Sequence, residues 1–69
     1  MKKRSNNIGQ RIREKRLDLG WTQERLAKAV RCSRVYVNKL ENAHVPSPGI
    51  KVLEKIRVRL GMSWEDLWK

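Results

Sequence analysis

The sequence predicts an all-α fold, five short helices packed as one compact bundle. Three observations lead there. Apolar residues recur at three- and four-residue intervals, and no stretch alternates at the two-residue period of a strand. Caps and breakers divide the chain into five segments, each too short to bury a core by itself. The 69 residues allow one domain only. At about 1.5 kcal/mol of ordering entropy per residue, a core of this size favours helices with local contacts over a large enzyme pocket.

Taken in order, Asn6 or Asn7 caps a first helix over Ile8–Leu19, and Gly20 ends it in the left-handed conformation. Thr22 caps a second helix, Gln23–Val30, and Ser33 a third, Arg34–Asn42. Ala43–Ser47 is a loop, because Pro46 and Pro48 disfavour helix in the residues before them. Ser47 followed by Pro48 signals the start of a fourth helix that runs to Leu60 and stops at Gly61. Ser63 opens a last helix of one to two turns, with Asp66 as its capping-box partner. The apolar stripes are Ile8, Ile12 and Leu19; Leu26, Ala27 and Val30; Val37 and Leu40; and Ile50, Leu53, Ile56 and Leu60. Trp21, Met62, Trp64, Leu67 and Trp68 supply the remaining apolar bulk. Residues 1–7 are polar and basic and read as a flexible arm ahead of a domain spanning 8–69.

Charge is distributed unevenly. The chain carries +10, from 17 Lys and Arg against 7 Asp and Glu. Residues 1–39 hold twelve basic and three acidic side chains, whereas residues 40–69 hold five and four. A basic surface kept for solubility would not be so lopsided, and a field concentrated in one half is what a polyanion selects.

On the third helix, Val37 and Leu40 define an inward face at 100° per residue. Arg34, Val35, Asn38 and Lys39 then point outward, with Val35 near the middle of the exposed face. Such a helix fits the DNA major groove, where Arg or Lys reads guanine O6 and N7 and an apolar branch touches a thymine methyl. A lone Val35 would otherwise be an ordinary surface hydrophobe.

The stretch from Thr22-Gln23-Glu24-Arg25-Leu26-Ala27 through Ser33-Arg34-Val35-Tyr36-Val37-Asn38-Lys39-Leu40-Glu41-Asn42 resembles the helix-turn-helix of phage repressor and Cro proteins. The resemblance is to the Cro/CI-type (Xre) family with its lambda-repressor-like fold. It extends to Ile8-Gly9, Arg11-Ile12-Arg13, Gly20-Trp21 and the ending Leu60-Gly61-Met62-Ser63-Trp64-Glu65-Asp66-Leu67. It implies that Ser33, Arg34, Val35 and Lys39 read bases, joined by outward-facing Asn38. Thr22 matches a capping position and Gln23 a phosphate anchor, which agrees with the free N–H groups of a helix start. Tyr36 and Asn42 match backbone-contacting positions, although Tyr36 could instead pack on the flank of the core. The resemblance also pairs Arg16 with Glu41 as an inward salt bridge between the first and third helices, a pair that fixes geometry more than it adds net stability.

Two positions depart from the family pattern. Arg31 stands where glycine is usual in the turn, and Ala43 replaces a common glycine after the third helix. A non-glycine residue there must adopt a left-handed backbone at about 1 kcal/mol or more. Arg31 would gain a phosphate-facing charge in exchange, and His44, in the following loop, is a further phosphate neighbour.

An enzyme needs convergent chemistry, and the sequence offers one His, one Cys and scattered carboxylates, so no catalytic site, cofactor or metal is expected. Cys32 reads as a buried, inert thiol in a reducing, cytoplasmic setting at the nucleoid. No apolar run approaches the ~20 residues of a membrane span. The expected partners are a double-stranded DNA operator and a second copy of the chain, weakly associated and paired on DNA; Trp64, Leu67 and Trp68 are the apolar candidates for that contact, with closure of the small core as their other role. The competing reading is an antitoxin of the same fold whose main role is to bind a toxin or other protein partner.

Overall fold

A computed structural model describes residues 8–45 and 48–68, with the Trp68 side chain left aside. The expected arm at 1–7, the caps at Asn6 or Asn7, and Ser47 lie outside the described residues. Five helices follow one another: α1 (Ile8–Asp18), α2 (Gln23–Ala29), α3 (Arg34–Glu41), α4 (Ile50–Leu60) and α5 (Trp64–Trp68). Among the described residues there is no strand, and no helix is long and apolar enough to cross a membrane.

Local chemistry sets the helix starts. Thr22 accepts a hydrogen bond from the Arg25 amide and Ser33 one from the Tyr36 amide, each at 3.0 Å. Both residues are in extended backbone, the geometry of an N-cap whose hydroxyl satisfies an amide with no partner inside the helix. Ser63 and Asp66 exchange two bonds of 3.0 Å and close a capping box at α5. The start of α4 differs from expectation: Pro48 lies outside the helix and Gly49 is the N-cap, with no side-chain bond. Proline suits the approach to a helix as well as its first turn, so the Ser-Pro signal marks the region and not the residue.

All of the first four helices end alike. In each, the amide that follows a left-handed residue reaches back to the carbonyl five residues earlier: Trp21 to Arg16, Cys32 to Ala27, His44 to Lys39 and Met62 to Arg57, at 2.8–3.0 Å. This is the Schellman arrangement, which requires a left-handed residue just after the cap. Gly20 (φ 73°) and Gly61 (φ 70°) supply it after α1 and α4. Arg31 (φ 60°) and Ala43 (φ 61°) supply it after α2 and α3 against the steric preference of a Cβ.

One core unites the helices. Ile12, Leu26, Val37, Ile56 and Leu67 are fully buried, with Val30, Leu40, Leu53, Leu60 and Met62 nearly so. Each such side chain contributes about 1.5–3 kcal/mol of burial. α2 and α3 pack on one another, α1 lies across α3, α4 and α5, and α4 also meets α2. α1 approaches α3 closely at Gly9, where an added Cβ would collide with the Leu40 carbonyl oxygen. Two stripe residues fall outside the core: Leu19 is 44% and Ile50 59% exposed. Leu19 follows the last residue of α1, so its direction is no longer set by the helix period. Ile50 is the first residue of α4, ahead of the turns that face the core.

Candidate nucleic-acid interface

α3 presents two opposite faces. Val37, Leu40 and Glu41 are buried. Arg34, Val35, Asn38 and Lys39 are exposed, Val35 at 57%. An apolar branch left in water between two cations and an amide, on a helix held by its opposite face, is suited to enter a groove and touch base edges. Tyr36 is half-buried and packs against the core cluster, so packing is part of its role.

Behind this helix sits a buried ion pair. Arg16 donates from Nε to Glu41 Oε2 at 2.7 Å and from its terminal nitrogen to Oε1 at 3.0 Å. A third donor reaches the Trp21 carbonyl at 2.7 Å. The side chains are 8% and 1% exposed. Charges this dry are tolerated because planar fork meets carboxylate and the remaining donor is satisfied. The pair fastens α1 to the end of α3 and to the turn that leads into α2.

The network continues outward. Gln23 Nε2 donates to Glu41 Oε1 at 3.1 Å, and Asn38 Nδ2 donates to Gln23 Oε1 at 3.4 Å. Asn42 Nδ2 donates to the Asn38 carbonyl at 2.9 Å and to its Oδ1 at 3.3 Å. The structure therefore brings Gln23, Asn38 and Asn42 into one chain of polar contacts running from the buried pair to the surface. Sequence reasoning treats Gln23 as outward-facing only and misses its bond to Glu41. Eighteen positions separate the two, and no local spacing rule connects them.

The other expected residues stand around this chain. Thr22, Ser33, Arg31, Asn42 and His44 are exposed, Thr22 and Ser33 as caps and Arg31 in the turn. Cys32 is half-buried, not buried, with Sγ 3.7 Å from the Val30 carbonyl. Its side chain lies in the turn, at the edge of the core. Leu67, a candidate for both the core and a pairing surface, is fully buried in the core. Trp64 is half-buried beneath Arg57, whose guanidinium carbon lies 4.9 Å from the ring centre. A cation also missed from sequence is Arg25, stacked 4.4 Å above the Trp21 ring. The four-residue spacing of Trp21 and Arg25 on either side of a helix start was the available signal.

Comparison with known proteins agrees with this geometry. A family model described as helix-turn-helix matches residues 12–67. An uncharacterized HTH-type transcriptional regulator of Bacillus subtilis (strain 168), YqaF, is 38% identical over 53 residues, which cover 77% of this chain and 68% of the relative. No solved structure matches. With a five-helix bundle, a capped helix pair exposing the face of the second helix, and a family match over most of its length, the chain belongs to the Cro/CI-type (Xre) helix-turn-helix family of transcriptional regulators.

Proposed function

We propose that the protein is a sequence-specific double-stranded DNA-binding regulator that acts as a repressor by inserting α3 into the major groove. The observation that carries this reading is the exposed face of Arg34, Val35, Asn38 and Lys39, set directly opposite buried Val37 and Leu40. Arg34 and Lys39 supply donors for guanine, Asn38 an amide for adenine, and Val35 a methyl contact for thymine, with Ser33 at the leading edge. Thr22, Gln23, Arg31, Tyr36, Asn42 and His44 hold the phosphate backbones on either side. Gln23 keeps one amide hydrogen free for a phosphate while the other holds Glu41.

One such helix reads four or five base pairs, too few for selection within a genome. We infer that two copies bind a palindromic operator, with their recognition helices one duplex turn apart, about 34 Å. Burial of Leu67 leaves Trp64 and the surface around it for that contact. Such a small contact makes a weak pair, formed on DNA. Selection of bound duplexes from a random pool at fixed salt tests the reading. It should recover a two-fold symmetric motif, and titration of the symmetric site should be cooperative where the half-site is not. A pool that stays random through selection overturns it.

A further inference from the structure

A groove of about 750 Å³ runs between the end of α2 and one side of α4. Its rim carries four cations, Arg31, Lys51, Lys55 and Arg59, against a single carboxylate, Glu54. Among the described residues none of these four is in an ion pair. Its apolar lining comes from the end of α2 and from Val58, which is 60% exposed. No residue of α3 contributes. Gln23, where the polar chain of the reading face begins, lies at the opposite end of α2, about 9 Å away at 1.5 Å per residue.

We propose that this groove docks an acidic amphipathic helix supplied by another protein. Charge complementarity sets the sign: the three unpaired cations of α4, Lys51, Lys55 and Arg59, draw a carboxylate-rich segment, while Arg31 at the α2 end is the one assigned to a phosphate. The apolar component sets the kind of partner. A phosphate backbone would satisfy the cations and gain nothing from Val58, whereas a helix with one apolar face buries that methyl surface and aims its acidic flanks at the rim. Because α3 does not line the groove and α4 supplies the cations that hold the partner, the docked helix leaves the reading face and Arg31 to the duplex, and the protein holds duplex and partner together.

The test uses a labelled synthetic helical peptide, leucines along one face and glutamates elsewhere, titrated against the full chain by fluorescence anisotropy. A peptide of the same composition with the stripe scrambled is its control. The striped peptide should bind more tightly than the scrambled one. Val58→Asp and Lys55→Glu should each weaken it by about tenfold, with affinity for the selected duplex and melting temperature unchanged for Val58→Asp. Val58→Ser, a milder change at the same exposed position, should weaken it in the same direction. Equal binding of the two peptides, or no response to the groove substitutions, overturns the proposal. A loss of duplex affinity on Lys55→Glu as large as the loss of peptide affinity would also overturn it, by assigning the groove to the DNA backbone.

Discussion

Gln23 is fastened to Glu41 by a 3.1 Å hydrogen bond, so a residue at the start of α2 is held by the carboxylate at the end of α3. That same carboxylate accepts two bonds from Arg16. One buried group thereby fixes the relative position of α1, α2 and α3, and with it the side chains that would face a duplex. Exchange of Gln23 for Ala should weaken binding to all duplexes through the lost phosphate contact and, because Asn38 loses its 3.4 Å bond to Gln23, should relax discrimination only at the adenine that Asn38 reads. Affinities measured on selected and unrelated duplexes check this, and a loss confined to the selected sequence would contradict it.

The buried pair itself makes a stability prediction. Glu41→Ala leaves the Arg16 guanidinium in the interior without its carboxylate and should cost about 3–5 kcal/mol. Replacing both partners, Arg16→Met with Glu41→Leu, should cost less than Glu41→Ala alone, since no charge is then stranded. Denaturant unfolding of the two variants decides between this and an incidental surface pair, for which both would melt like the parent.

Arg31 and Ala43 hold the same left-handed cap position as Gly20 and Gly61. Ala43→Gly should therefore stabilise the fold by about 1 kcal/mol, raising the melting temperature by about 4–8 °C in a domain of this size. Arg31→Gly should stabilise similarly while lowering the salt dependence of duplex binding by about one unit, as expected for a lost phosphate contact. An unchanged or lower melting temperature for Ala43→Gly would mean that the cap carries no strain.

Gly9 sets the closeness of α1 to α3. Gly9→Ala drives a methyl group into the Leu40 carbonyl and should destabilise by about 1–3 kcal/mol, the usual range for overpacking against groups that cannot yield. Thermal melting reads the effect directly.

These residues also mark what was legible in the sequence. Thr22, Ser33, Gly20, Gly61 and the Ser63–Asp66 box act within one turn of chain, and so their roles follow from spacing alone. The helical stripes located the core wherever a helix continues through it. They misplaced Leu19 and Ile50, at helix boundaries, where the direction of a side chain depends on where the helix begins or ends. Gly9 belonged to the recognised pattern, but its reason is the Leu40 backbone thirty-one positions later. The bond from Gln23 to Glu41 and the groove beside Val58 exist only once three helices are docked. The sequence left Leu67 open between the core and a pairing surface, because five residues of α5 give too little periodicity to tell a core leucine from an exposed one.

Duplex binding by the basic half of the chain should be strongly salt-dependent. Neutralising about four to six phosphates per protomer gives a slope near −4 to −5 for log K against log salt. A flat response would remove the electrostatic part of the account.

Whether α3 reads base edges is decided at Arg34. The measurement is the affinity of the parent and of Arg34→Ala for the selected duplex and for single-base variants at each position. Discrimination at one guanine should fall by about 1–3 kcal/mol in the variant while preferences elsewhere persist. A uniform loss of affinity across every sequence, with all base preferences intact, would place Arg34 on the phosphate backbone and contradict the assignment of α3 to the groove.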